Sequence, residues 1–198
     1  MVAVPVATPP PFAAKVEHVT RADLPFSWHP GCPVAPAQLR RIRLGYWGFD
    51  GAAHTGQIVV NLAVVPEVTR AFGKLYSERF PIRRMQPIDV YQGSDDRSMA
   101  ADNTSGFNCR YAVAPGPKSW SVHAYGEAID VNPVENPYLE GGKVRPVAGA
   151  AFADRANVRR GMAAKGAALV QAFALVGWQW GGRWTSSPDY QHFSANGR

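Results

Sequence analysis

The sequence predicts a single α+β domain, a small antiparallel sheet flanked by helices. Three observations carry that reading. The chain has 198 residues, 46% of them hydrophobic and 11% aromatic, enough to bury a core without several disulfides or a structural metal. Period-two alternation at residues 40–46 and helical periodicity at 66–79 and 162–176 put strands and helices in one sequence. No internal repeat and no linker interrupts the chain after residue 20, so residues 21–198 read as one domain and residues 1–20 as a flexible Pro/Ala-rich leader.

The elements follow in order. Residues 1–14 carry no charge and lack the basic and apolar regions of a signal peptide; they read as what remains once a native export signal is removed. From Arg40, Ile42, Leu44 and Tyr46 share one face and Arg41 and Arg43 the other, the pattern of a half-buried strand. Gly48–Gly51 carries turn chemistry, and Gln57–Asn61 reads as the returning strand. Pro66 and Glu67 open a helix that runs through Val68, Phe72 and Leu75 to about Arg79. Pro81 and Pro87 lead to a short strand at Ile88–Tyr91. The polar stretch 93–106 is a loop longer than a connection requires, which points to function. Further strands are expected at Phe107–Val113, broken by Pro115-Gly116-Pro117, and at Gly126–Val131. Residues 136–149 form a Pro/Gly-rich loop. Met162, Leu169, Phe173 and Val176 make a helical stripe that Gly177 ends, and the tail 178–193 is dense in Trp and Gly.

The net charge of +6, from 21 Lys+Arg against 15 Asp+Glu, attracts any polyanion: nucleic acid, anionic lipid or an anionic wall polymer. The basic residues come as short clusters, Arg40-Arg41 with Arg43, Arg83-Arg84 and Arg159-Arg160, and none is the long block of a nucleic-acid arm. No apolar run approaches the roughly 20 residues of a membrane span. Neither nucleic-acid binding nor membrane insertion is expected. Cys32 and Cys109 are not a Cys-x-x-Cys pair, which excludes a Cys-rich zinc finger. They are either one disulfide, which would contribute roughly 4 kcal/mol by constraining the unfolded chain, or two unrelated small apolar residues.

The chemistry concentrates in two segments. In Ser121–Asp130, Gly126 permits a sharp bend, and beyond it Ile129 and Val131 alternate away from Asp130, which can return towards His123. The second segment supplies His192, with Asp189 three residues before it. Two imidazoles and a carboxylate (His123, His192 and Asp130) make a three-ligand site for one zinc ion, with the fourth position left for water. Asp189 is the carboxylate left over to move that water's proton. His18, His29 and His54 read as core histidines, although His54, in a Gly-rich turn, is placed to approach a site.

Ser-x-His-x-x-Gly-x-Ala-x-Asp at 121–130, followed by the carboxylate-x-x-His of Asp189–His192, resembles the zinc-dependent peptidoglycan peptidases. These are the D-alanyl-D-alanine carboxypeptidases and L-alanyl-D-glutamate endopeptidases of the hedgehog/DD-peptidase fold. The resemblance covers about residues 85–193. It implies that His123, Asp130 and His192 bind zinc and that Asp189 is the general base. Asp at that position, where many members have Glu, looks more like the endopeptidase branch, phage lysins included. It also implies that Arg110, in a variant of the family's Ser-Gly-aromatic-Arg strand with two extra residues, holds a substrate carboxylate or polarises the scissile carbonyl. Ser121 then binds substrate or orients His123. Trp178, Trp180 and Trp184 read from the sequence as core or cleft wall, about one of the three meeting substrate, with Trp180 the one expected to offer its aromatic face. The expected protein is a monomeric hydrolase of peptidoglycan stem peptides that acts outside the cytoplasm or as a phage lysin. The rival readings are a catalytically inactive zinc-containing wall-binding module of the same fold, which Asp189 argues against, and a basic nucleic-acid-binding domain, which has no motif behind it.

Overall fold

The alternation that begins at Arg40 builds the first layer. The computed structural model describes residues 10–113 and 117–197. In it, β1 (Ala14–His18), β2 (Leu39–Trp47) and β3 (Ala53–Asn61) form an antiparallel sheet in that order, with Ile42 opposite Ile58. Ile42, Leu44, Ile58 and Val60 are fully buried on one face. On the opposite face Arg41 and Arg43 pair with Asp23 and Glu17. Val59 also points that way, into a smaller cluster with Val19, Leu24, Val34, Leu39, Phe107 and Cys109.

Helix α1 (Val65–Ser77) lays Val68, Phe72 and Leu75 on the sheet, with Pro66 in its first turn where no amide partner is needed. After the short α2 (Asp95–Ala100) the chain makes β4 (Ala128–Asp130), the hairpin of β5 (Tyr138–Glu140) and β6 (Lys143–Arg145), and α3 (Ala168–Ala174). It closes with β7 (Gln179–Trp180) and β8 (His192–Ser194), which complete a second antiparallel sheet of order β4-β8-β7. One apolar core joins the two halves: Phe173 of α3 stacks on Phe193 of β8 at 4.4 Å and meets Phe72 of α1 edge-on at 6.0 Å. Cys32 and Cys109, 77 residues apart, are joined as a disulfide. No helix among the described residues is long and apolar enough to cross a membrane.

The α+β class is as expected, with two three-stranded sheets and a two-stranded ribbon in place of one sheet. Several elements differ. Ala14–His18, read as part of the leader, pairs with Leu44–Arg40 along its whole length, because β2 offers it a free edge; residues 1–9 of that leader lie outside the described residues. Ile88–Tyr91 is a 3-10 turn rather than a strand, and the polar loop 93–106 contains α2, started by Ser94 accepting from the Arg97 N–H. Phe107–Val113 forms no strand of its own. It makes a single bridge, Tyr111 to Trp120, and Pro115 and Gly116 of the expected break lie outside the described residues. The helix expected from Met162 begins only at Ala168, since Gly161 and Gly166 both take positive φ before it. His18, His29 and His54 are exposed rather than core residues. His54 pairs with Asp50.

Candidate metal centre

Strands β4 and β8 set the site by their register. Ile129 stands opposite Phe193, and Asp130 opposite His192. Successive side chains leave opposite faces of a strand, so the fully buried Ile129 and Phe193 enter the core and Asp130 and His192 meet on the other side. His123 arrives from the 3-10 turn Val122–Tyr125, whose start is fixed by Ser121 Oγ accepting from the His123 N–H at 3.3 Å. Gly126 ends that turn at φ 71°, and a Cβ there would lie 2.6 Å from the Asn61 backbone nitrogen. Only glycine allows both the bend and the close approach to β3.

The His123 Nδ1–H donates to the Gly106 carbonyl at 2.7 Å. That bond assigns the proton to Nδ1 and turns the Nε2 lone pair into the site. Nε2 lies 3.2 Å from His192 Nδ1 and 3.3 Å from Asp130 Oδ2, and His192 Nδ1 lies 3.1 Å from Asp130 Oδ1. These spacings match the edge of a tetrahedron with metal–ligand bonds of 2.0–2.1 Å, about 3.3–3.4 Å. The donor chemistry fits as well: a lone pair, a carboxylate and a second imidazole crowd one point, and a divalent cation satisfies all three. Burial acts to raise the Asp130 carboxyl, but the charge and hydrogen bonds of His123 and then His192 outweigh it and hold the group well below the usual carboxylate range. Among the described residues one other set of candidate ligands converges, His29 with Cys32 and Cys109, and there the disulfide occupies both sulfurs.

Asp189 sits beside this group without joining it. Its Oδ1 is sealed from solvent with no hydrogen-bond partner. Burial first, and the negative charge of Asp130 second, push its carboxyl up to about 7, against the opposing pull of His192. Gly181 makes the placement possible, since a Cβ there would stand 2.8 Å from the Asp189 carbonyl oxygen and 3.2 Å from His192 Cβ. The Asp189 N–H donates to the Gly181 carbonyl at 3.1 Å. A carboxyl poised near neutrality beside a cation site can accept and return a proton.

Two cavities flank the centre, of about 240 and 670 Å³, and share Arg110, Val113, Tyr138 and Asp189 in their walls. Asp130 faces the smaller; His123, His192, Ser121, Trp120 and Trp184 face the larger. The residues expected to act on substrate are placed unequally. Arg110 lines both cavities, with its guanidinium paired to Asp95. Ser121 reaches the larger cavity while capping the turn that carries His123. Trp180 reaches neither: it packs against the core, and its indole N–H donates to the Tyr190 carbonyl at 2.9 Å. Trp184, four residues on, takes the cleft position, its ring 5.3 Å from that of His192. Tyr138 and Arg145 also line the cleft, and nothing in the Pro/Gly-rich stretch around them marked them. Much of the polar 93–106 stretch reaches the site: Asp95, Asp96, Met99 and Ser105 line the smaller cavity, and the Gly106 carbonyl holds His123.

Residues 115–195 match a family model described as D-alanyl-D-alanine carboxypeptidase. The matched segment contains His123, Asp130, Asp189 and His192, so the resemblance read from residues 121–130 and 189–192 stands on a second, independent comparison. No curated protein and no solved structure matches the chain.

Proposed function

We propose, from the family match over residues 115–195, that the protein is a zinc-dependent peptidoglycan peptidase that hydrolyses an amide bond of the stem peptide. The observation that carries the reading is the imidazole–carboxylate–imidazole group, with donors 3.1–3.3 Å apart, beside a buried acid whose Oδ1 has no hydrogen-bond partner. His123, Asp130 and His192 would hold one zinc ion per chain. When bound, zinc makes water a nucleophile near neutral pH and polarises the scissile carbonyl.

The chain's own residues do the rest. The peptide lies across both cavities with its scissile carbonyl at the Asp189–Arg110 junction. Asp189 takes a proton from water as the water oxygen bonds to the carbonyl carbon, then passes that proton to the nitrogen as the C–N bond breaks. Arg110 faces the carbonyl oxygen or a neighbouring substrate carboxylate and offsets the negative charge that develops. Trp184, Trp120 and Tyr138 give the larger cavity rigid aromatic walls against which a peptide or glycan can pack. The net charge of +6 favours approach to an anionic wall, and the disulfide suits action outside the cytoplasm or as a phage lysin. A wall-binding module without catalysis would have no use for a sealed Asp189 carboxyl held near neutrality.

Mass spectrometry of purified peptidoglycan after incubation with the zinc-loaded protein tests the proposal. New fragments with a free amine and a free carboxylate at one stem-peptide bond, absent with Asp189→Ala, are the expected result. Intact stem peptides, or equal cleavage by the variant, would refute it.

A further inference from the structure

The segment that carries Arg110 departs from the motif it resembles by two residues, Asn108 and Cys109, set between Phe107 and Arg110. Up to Phe107 the backbone belongs to the metal centre. Ser105 exchanges both backbone hydrogen bonds with Asp130, the Gly106 carbonyl accepts from His123 Nδ1–H, and the Phe107 N–H donates to the Val59 carbonyl of β3. The two added residues then make a tight turn, in which the Arg110 N–H donates back to the Asn108 carbonyl at 3.0 Å. Arg110 stands at the exit of that turn, in the wall of both cavities.

Both added side chains hold the turn. Asn108 is buried, and its Nδ2 donates to the Gly93 carbonyl at 3.1 Å and to Asp95 Oδ1 at 2.7 Å. Asp95 Oδ2 in turn pairs with Arg110 Nε. One carboxylate thus bridges an amide and a guanidinium that lie two residues apart. Cys109, also buried, is joined to Cys32, and its N–H donates to the Ser27 carbonyl at 2.9 Å. Asp89 fastens the loop that carries Cys32, accepting from the Phe26 and Ser27 N–H groups at 2.9 Å and from the Ser27 hydroxyl at 2.6 Å. The metal ligands are held by other means, strand register and the Gly106 carbonyl.

Resting on the reading of Arg110 as a residue that faces substrate, we propose that Asn108 is a positioning residue for Arg110 and that the Cys32–Cys109 disulfide is the redox gate of the same device. With the disulfide closed, the turn is pinned on both sides and Asp95 presents the guanidinium to the cleft. With it open, the turn loses its link to the Cys32 loop, the Asn108–Asp95–Arg110 chain loosens, and the metal ligands stay in place. Closing is thiol–disulfide exchange: a disulfide reagent, small or protein-borne, takes two electrons and two protons from the two thiols and leaves as a pair of thiols. The chain therefore cuts slowly in a reducing compartment and fully once oxidised.

Two readouts separate this device from plain stabilisation and from the hydrolytic reading. The first is the Arg110 Nε–H resonance in zinc-loaded protein labelled for nitrogen NMR, identified by its absence in Arg110→Lys. It should be visible in the oxidised parent and lost to water exchange in Asn108→Ala and in Cys32→Ser with Cys109→Ser, while the backbone resonances of the fold persist. The second is peptidoglycan turnover below the melting temperature of each variant. Asn108→Ala and the double serine variant should each lower kcat/KM by about ten- to a hundredfold at unchanged zinc content. Neither should lower it further in an Arg110→Ala background. The parent reduced with a phosphine should match the double serine variant and recover with oxidised glutathione. An unchanged Nε–H signal, additive losses with Arg110→Ala, or turnover indifferent to reduction would each overturn the proposal. No cleavage by any form, with the resonance behaving as stated, would instead overturn the hydrolytic reading alone.

Discussion

The two three-stranded antiparallel sheets serve opposite ends, one a sequential meander and the other closed by a strand that returns from the end of the chain. In β1-β2-β3, two strands run nine residues and β2 alternates aliphatic and charged side chains, and the buried face presents Ile42, Leu44, Ile58 and Val60 to α1. In β4-β8-β7, strands of two or three residues bury His192 and Ser194 and half-bury Asp130 within a few ångströms of Phe193. Long strands draw their stability from area removed from water. The short ones cannot, so they borrow the first sheet's core through Ile129, Val131 and Phe193 and leave their other face for polar groups whose burial is costly unless a cation or partner satisfies them. Framework and site are thus two faces of one hydrophobic cluster.

Changing one face at a time separates the two roles. The largest expected effect is on the polar face: Asp189→Ala should lower kcat by about 10²–10⁴-fold with zinc content and melting temperature held, measured by peptide turnover and elemental analysis together. On the apolar face of the same strand, Phe193→Ala should cost about 3–5 kcal/mol of stability and speed zinc loss to a chelator, because it loosens the strand that carries His192. Ile58→Ala, in the framework sheet, should cost about 2–5 kcal/mol and leave zinc retention unchanged; equal zinc loss in both would erase the distinction. Ser121→Ala removes the cap of the His123 turn and should cost about 1 kcal/mol, read by denaturant titration.

The smallest effect is a slope. Burial, reinforced by the hydrogen bond and charge of Asp102 and opposed by Arg83, pushes the Glu135 carboxyl from its ordinary 4.5 up to about 8. The folded chain then holds this proton more firmly than the unfolded chain. The resulting stability is present below about pH 4.5 and is lost as pH rises through about 8. Melting temperature followed from pH 5 to 8.5 should fall less steeply in Glu135→Gln than in the parent; parallel curves would contradict the assignment.

What the sequence made legible follows from the range of the physics involved. Alternation at 40–46 and the Pro66–Leu75 periodicity are local signals, and β2 and α1 lie where they predict. The gathering of His123, Asp130 and His192 was legible because Gly126 and the Ile129–Val131 alternation dictate direction locally, and because the motif pair resembles a known family. The rest depends on partners distant in sequence. Ala14–His18 is a strand because β2 has an open edge, and α3 is short because Gly161 and Gly166 turn left-handed. Trp184 rather than Trp180 lines the cleft because the Tyr190 carbonyl claims the Trp180 indole. Arg145 became visible only when the β5–β6 hairpin brought it to Asp96.

The central claim is that three side chains from distant segments grip one metal ion. Zinc analysis of the protein, after chelation and reloading, against His123→Ala and Asp130→Asn tests it most directly. The account predicts about one zinc per chain in the parent, with retention lost in both variants and turnover restored to the parent by zinc alone. A parent protein that takes up no zinc and gains no activity from it would contradict the account.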